Sequence, residues 1–222
     1  MSLKNRKLFT LSPISSYGVL KDKFRDYFIR NNLISYDYNG KSFTINILDC
    51  RVFPQGYSAV LSKAGAYKEI DAVCVDIGGY TSDTFIINKG LKLDVGSAKS
   101  YNNGIIKLFK DIQQELIKRD IQISEGQIED VLRNNSPIFF DEDIITIINK
   151  MAEEYTNKLL DEFKESYELK ANAVLFAGGG SLLLKNFIES SNKVRYCEFL
   201  DEYSNCRGYE ILAKKAIQKK GE

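Results

Sequence analysis

Asp76-Ile-Gly-Gly-Tyr-Thr-Ser-Asp83 decides how this chain is read. It follows the apolar run Ala72-Val-Cys-Val75 and precedes Phe85-Ile-Ile87. The pattern predicts a strand, a tight glycine turn and a second strand, with one carboxylate ending the first strand. Adjacent glycines let the backbone turn sharply and offer its N–H groups to a ligand without Cβ interference. A polyphosphate fits over such a turn, and Asp76 is placed to hold a hydrated Mg²⁺ against it. The plainer alternative is an ordinary hairpin, with Gly78-Gly79 as turn chemistry and Asp76 in solvent.

Outward from this stretch, strands are expected over 71–77, 83–88 and 91–95, with a turn at Asn88-Lys-Gly90. A helix follows over 104–118, then short helices and loops over 119–140, broken by Pro137. The stripe Ile144, Ile148, Met151, Tyr155, Leu159 and Phe163 predicts a long helix over about 142–168 whose apolar face packs in a core. Asn172 to Ala177 reads as a strand, 194–199 as another, and 207–218 as a last helix. Upstream, 19–33 has helical spacing, Asn39-Gly40 marks a hairpin turn, and 42–48 reads as a strand. Pro54-Gln-Gly56 then leads to a short helix over 57–66. Three meandering strands followed by alternating helices and strands make an α/β mixed sheet flanked by helices.

Gly178-Gly179-Gly180 sits where a strand feeds a helix. Glycine there permits close backbone approach to a ligand, the helix start offers unpaired N–H groups, and Ser181 is placed to cap it. A tight strand–helix turn without ligand is the alternative. Both glycine sites fall at carboxyl ends of strands in one sheet, where α/β folds place ligands.

The bulk composition narrows the chemistry. The 222 residues are 44% hydrophobic and 27% charged, as in an ordinary globular protein with room for one large domain or a domain and a fragment. A net charge of +1 makes no global case for nucleic acid or anionic membrane, and no apolar run nears the ~20 residues that span a bilayer. Four scattered cysteines and no visible signal peptide suit a reducing cytoplasm. There is no histidine, which removes serine–histidine catalysis and the common zinc sites. Phosphoryl chemistry remains open, because it rests on positioning and charge stabilisation.

With these motifs the chain resembles the ribonuclease-H-like fold of the actin, heat-shock-chaperone and sugar-kinase ATPases. Asp76 to Asp83 resembles the group's second phosphate motif, and Phe176-Ala-Gly-Gly-Gly-Ser181 its adenosine motif. Asn205-Cys-Arg-Gly-Tyr209 resembles the second connecting motif. Tyr38 to Ile45, Val52 to Val60 and Gly-Gly-x-Thr-x-x-Asp are most similar to ParM-type actin-like ATPases that segregate plasmids. The resemblance implies that Gly78, Gly79, Tyr80 and Thr81 line the β- and γ-phosphates of ATP or ADP. Asp76 would orient hydrated Mg²⁺ or the attacking water. Gln55 would position that water, its alternative being a turn residue after Pro54. Tyr80 stands where chaperones have a third glycine, which puts a backbone–phosphate contact there in doubt. Asn103 and Gly104 would approach the adenosine, together with Gly178, Gly179, Gly180 and Ser181.

The group's first phosphate motif, Asp-x-Gly-(Ser/Thr), has no counterpart ahead of Asp76; Asp94-Val-Gly-Ser97 matches its letters but reads as a turn ending the third strand. Residues 1–68 are therefore expected to be the end of a first actin-like domain, and 69–222 the second, with a helical insert at about 119–150. On this reading the isolated chain binds ATP weakly and hydrolyses little. The function implied is a filament-forming ATPase subunit that moves plasmid DNA, with further copies of itself and a DNA-binding adaptor as partners. It would touch neither nucleic acid nor membrane directly. The alternatives are a small-molecule kinase of the same group and a non-catalytic docking module on the same fold.

Overall fold

A computed structural model describes residues 3–134 and 140–218. Pro137 lies outside the described residues. The first part runs β1 (Leu3–Ser12), α1 (Ile14–Ile29), β2 (Leu33–Tyr38), β3 (Lys41–Pro54), α2 (Tyr57–Leu61) and α3 (Ala64–Tyr67). Asn39 and Gly40 both take positive φ, 49° and 70°, and close the two-residue β2–β3 hairpin. β1 lies parallel to β3 on its other side, giving the sheet order β1-β3-β2. Strand β1 carried no expectation, because Lys4, Asn5, Arg6 and Lys7 break any apolar alternation. The expected helix over 19–33 starts earlier and ends sooner, anchored by Ile14, the one α1 side chain that is buried.

The second part runs β4 (Ala72–Ile77), β5 (Ser82–Asn88), β6 (Lys92–Tyr101), α4 (Ile105–Ile117), α5 (Glu125–Asn134) and α6 (Glu142–Lys164). β7 (Ala173–Ala177), α7 (Gly179–Leu183), α8 (Lys185–Ser190), β8 (Tyr196–Phe199) and α9 (Ser204–Gln218) complete it. The five strands order as β6-β5-β4-β7-β8, antiparallel across β6, β5 and β4 and parallel across β4, β7 and β8. This is the mixed, helix-flanked sheet expected. Strand β6 continues well past the expected end at 95. Asp94 to Ser97 forms a bulge inside it, correcting the strand-end reading: Asp94 Oδ1 accepts from Gly96 N–H at 3.0 Å, and Ser97 Oγ accepts from Ile86 N–H at 2.8 Å. The polar cluster satisfies the backbone that the bulge unpairs.

Every residue of β4 is buried, and its alternate side chains feed two cores. Val73, Val75 and Ile77 join Leu108, Ile112 and Leu116 of α4 and Ile148, Leu159 and Phe163 of α6. Ala72 and Cys74 join Ile14 of α1 and Ala59 and Val60 of α2 on the opposite face. A strand covered on both faces reads as an unbroken apolar run, and each full burial of a large aliphatic side chain is worth about 1.5–3 kcal/mol. Ile128, Val131 and Leu132 of α5 sit in the same core as α4 and α6, so the segment expected as an insert shares the main core. Among the described residues, no helix is long and apolar enough to cross a membrane.

The two parts are tied by α2 and α9. Gly208 of α9 lies so close to Ser58 of α2 that a Cβ would collide with the Ser58 carbonyl, and Ser58 Oγ donates to Asn205 Oδ1 at 3.0 Å. Gly208→Ala is expected to destabilise the chain by about 2 kcal/mol or more through this backbone clash. Gly126→Ala, on an exposed helix turn with nothing within 4 Å, is expected to be neutral or to stabilise by up to about 1 kcal/mol. Urea midpoints of the two variants check the contrast.

Candidate functional site

Four residues, Gly78 to Thr81, join β4 to β5. Gly78 N–H donates to the Thr81 carbonyl at 2.9 Å and closes the turn. The start of α4 then grips it from behind. Gly104, Ile105 and Ile106 donate their N–H groups to the carbonyls of Tyr80, Gly78 and Gly79, each at 3.0 Å. Helix starts carry unpaired donors, and here they are spent on the turn. Among the described residues, the N–H groups of Gly79, Tyr80 and Thr81 meet no carbonyl. A turn with its carbonyls engaged and its donors free is suited to an anion.

The reason for glycine here differs from the one expected. Neither Gly78 nor Gly79 takes positive φ. They are small because of crowding: a Cβ on Gly79 would lie 3.2 Å from Ile106 Cδ1, and one on Gly78 3.2 Å from the Thr81 carbonyl. A Cβ on Gly104 would strike the Gly79 carbonyl. Gly104 thus braces the 78–81 turn. Asn103 does the same, its carbonyl accepting from Ser82 Oγ and Tyr155 OH and its Nδ2 donating to Glu162 Oε2 at 2.6 Å. Asn103 also opens onto a cleft of about 230 Å³ between α4 and α6. Tyr80 is 79% exposed, its ring projecting from the turn.

Asp76 is the opposite case, a carboxylate only 5% exposed. It pairs across the strands with Asp83, itself buried, and Asp76 Oδ2 and Asp83 Oδ1 have no hydrogen-bond partner among the described residues. Burial first, and the Asp83 charge second, push the Asp76 carboxyl up to about 6, while Asn205 opposes the shift. Burial also raises Asp83, against the side chains of Ser100 and Thr81. The exposed-aspartate alternative is therefore corrected.

Two glycine-borne segments converge on this carboxylate. Gly56, at φ 75°, puts its Cβ position 3.4 Å from Asp76 Oδ2, and Gln55 precedes it as an exposed residue held by Gln55 N–H to Ser12 carbonyl at 2.9 Å. Gly178, at φ 83°, leaves no room for a Cβ beside Asp76 Oδ1. Gly180 lies against Ile77, its Cβ position 2.6 Å from Cγ2. Packing thus accounts for Gly178 and Gly180. Gly179 is exposed, with nothing within 4 Å of its Cβ position, and is the residue of the three left open to a ligand. Ser181 does not cap: it is buried inside α7, its hydroxyl donating to the Ala177 carbonyl at 2.5 Å.

Gln55, Asp76, the 78–81 turn and the 178–180 loop thus meet at the carboxyl end of β4. Sequence reading gave Asn205 and Asp83 no part in the site, although both lie in the stretches quoted. Gly208 inside a helical stretch was the signal for Asn205, since a mid-helix glycine marks close packing.

Residues 74–190, a little over half of the chain, match the family model described as archaeal actin homologue MreB-like, C-terminal. No curated protein sequence matches the chain. Among solved structures, the archaeal actin homolog Ta0583 in complex with ADP is similar at 17% identity and TM-score 0.76, over 96% of this chain and 73% of that one. A ParM from a 15-stranded Clostridium botulinum filament is similar at 20% identity and TM-score 0.71, over 93% of this chain and 66% of that one. Apo pSK41 ParM gives 19% identity and TM-score 0.67, over 100% and 67%. The fold is actin-like.

Asp76 makes stability depend on pH. Its folded pKa lies above the unfolded value, so its contribution is full below about pH 4 and is lost as pH rises through about 6. Asp76→Asn cannot ionise, and is expected to stabilise the ligand-free chain by on the order of 2 kcal/mol near pH 7.5 and by little near pH 4. Denaturant titrations at the two pH values check this; the same change in stability at both would contradict the assignment.

Proposed function

The chain belongs to the family of archaeal MreB-like actin homologues, and on that premise we propose that it is a nucleotide-binding subunit of an actin-like filament. The observation that carries the proposal is the junction at the end of β4. There the buried Asp76 carboxylate, its Oδ2 without a partner among the described residues, adjoins a turn with free N–H groups and an open glycine at position 179. The ADP held by the similar Ta0583 structure supports the ligand class. The similar ParM filament supports self-association.

In this reading ATP or ADP lays its phosphates on Gly78, Gly79, Tyr80 and Thr81. Its adenosine lies by Gly179 on the loop that Gly178, Gly180 and Ser181 pack in place, with Asn103 and Gly104 holding the phosphate turn. The orphaned Oδ2 of Asp76 and Oδ1 of Asp83 fit a hydrated Mg²⁺, an oxygen-seeking ion that keeps several of its waters. Bound there, the ion would neutralise the charge of the phosphates and of the carboxylate pair. Gln55, exposed beside the Asp76 junction, would orient the hydrolytic water. Residues 1–68 would be the end of a first domain and 69–222 the second, with the helical segment at about 119–150 elaborating it. The cellular role proposed is the cytoplasmic movement of plasmid DNA through an adaptor protein. Hydrolysis and movement are proposed for the working protein, since the relatives above are longer than this chain.

Gly179→Ala tests the site without disturbing the fold. The variant is expected to keep its stability, or gain up to about 1 kcal/mol, because nothing occupies the space and Gly179 is helical. It should nevertheless lose most of the rise in melting temperature that ADP with Mg²⁺ gives the parent chain, a rise worth about 2.7 kcal/mol at a hundredfold excess over Kd. No melting shift in the parent at millimolar ADP would sink the nucleotide reading. ATP-dependent light scattering tests assembly.

A further inference from the structure

The net charge of +1 conceals a division. Residues 1–68 hold eleven Lys and Arg against four Asp and Glu, a net charge of +7. Residues 69–222 hold twenty against twenty-six, a net charge of −6. The acid concentrates in α5 and α6: residues 125–168 carry twelve Asp and Glu against four Lys and Arg.

Both sets of charges are at the surface and uncompensated. Lys4, Arg6 and Lys7 on β1 and Lys21, Lys23 and Arg30 on α1 are exposed, and among the described residues none has a carboxylate within 4.0 Å. Glu142, Asp143, Glu153, Glu154 and Glu165 on α6 are likewise exposed, with no cation within that distance among the described residues. The basic part also displays apolar surface: Val19 of α1 is 80% exposed, and Tyr27 of α1 and Tyr38 of β2 are exposed as well.

The two faces lie on opposite sides of the five-stranded sheet. Ile14 of α1 packs with Ala72 and Cys74 on one face of β4, whereas Ile148 and Leu159 of α6 pack with Val73 and Val75 on the other. We propose that the basic, apolar-studded face of α1 docks on the acidic α5–α6 face of a second copy, head to tail. A contact between different faces on opposite sides of one chain leaves a free face at each end, so it propagates instead of closing as a pair. Nucleic acid or an anionic membrane would answer the basic face alone. A second copy answers both. The proposal rests on the filament reading above and names the surfaces that would carry it.

The test uses the full chain with ATP and Mg²⁺, followed by sedimentation velocity. Raising KCl from about 50 mM to about 300 mM should increase the protein concentration needed for assembly by about tenfold or more, since the contact is between exposed charges. The double variant K23E/R30E and the triple variant E153K/E154K/E165K should each stay unassembled at low salt. An equimolar mixture should assemble, because one variant then carries two acidic faces and the other two basic ones. Melting curves matching the parent show that the variants are folded. Assembly indifferent to salt and to both reversals would overturn this interface while leaving the filament reading intact. A basic-face variant that assembles normally but loses binding to duplex DNA or to phosphatidylserine vesicles would overturn it in favour of those partners. No assembly under any condition, with ADP binding retained, would overturn the filament reading and this interface with it.

Discussion

The crowding of one buried carboxylate by backbone organises this molecule. Asp76 lies at the end of the central strand, and the chain passes it again at Gly178, where a Cβ would collide with Oδ1, and at Gly56, where a Cβ would touch Oδ2 and be crowded by Phe85. Both glycines hold positive φ, so the approach is fixed by conformation as well as by size. A charge in such a place is costly unless something answers it. Asn205 answers in part, from a helix that begins well over a hundred residues later in the chain. Asp76 Oδ2 is left without a hydrogen-bond partner among the described residues, and the carboxyl is pushed up to about 6.

The 78–81 turn depends on a second backbone device. The first turn of α4 gives its N–H groups to the carbonyls of Gly78, Gly79 and Tyr80, so the donors of a helix start hold a loop and do not meet a ligand themselves. Tyr155 and Glu162 of α6 then hold Asn103, at the entry to α4. The loop is therefore braced through two helices that also fill the core beneath β4.

The two parts of the chain differ in how they spend their apolar residues. Around β4 nearly all are buried, and both faces of the strand are covered. In α1 and the β2–β3 hairpin several large apolar side chains remain outside, among basic residues. Helical spacing over 19–33 promised a buried face, and the structure withholds it, because α1 meets its neighbours through Ile14 and through Gly18 against Val95. Periodicity records where apolar groups fall on a helix; whether another element lies over them is a property of the assembled fold.

The sequence alone determined the strand–turn–strand at 71–88, the Asn39-Gly40 hairpin, the long helix after 142 and the order of elements that makes the mixed sheet. These follow from local chemistry: apolar runs, turn residues that accept positive φ, and a repeat near four residues. It also marked both glycine loops, because runs of glycine are rarely neutral. It missed β1, whose charged residues gain strand geometry only by pairing with β3. It misjudged Asp94 to Ser97, where a bulge supplies the partners that a strand end would have found in water. Above all, tertiary structure decided which glycine does what. Gly178 and Gly180 are small because Asp76 and Ile77 stand beside them, and Gly179 is small with nothing near it. The letters are identical; only the distances across the fold separate a residue required by packing from one left open to a ligand.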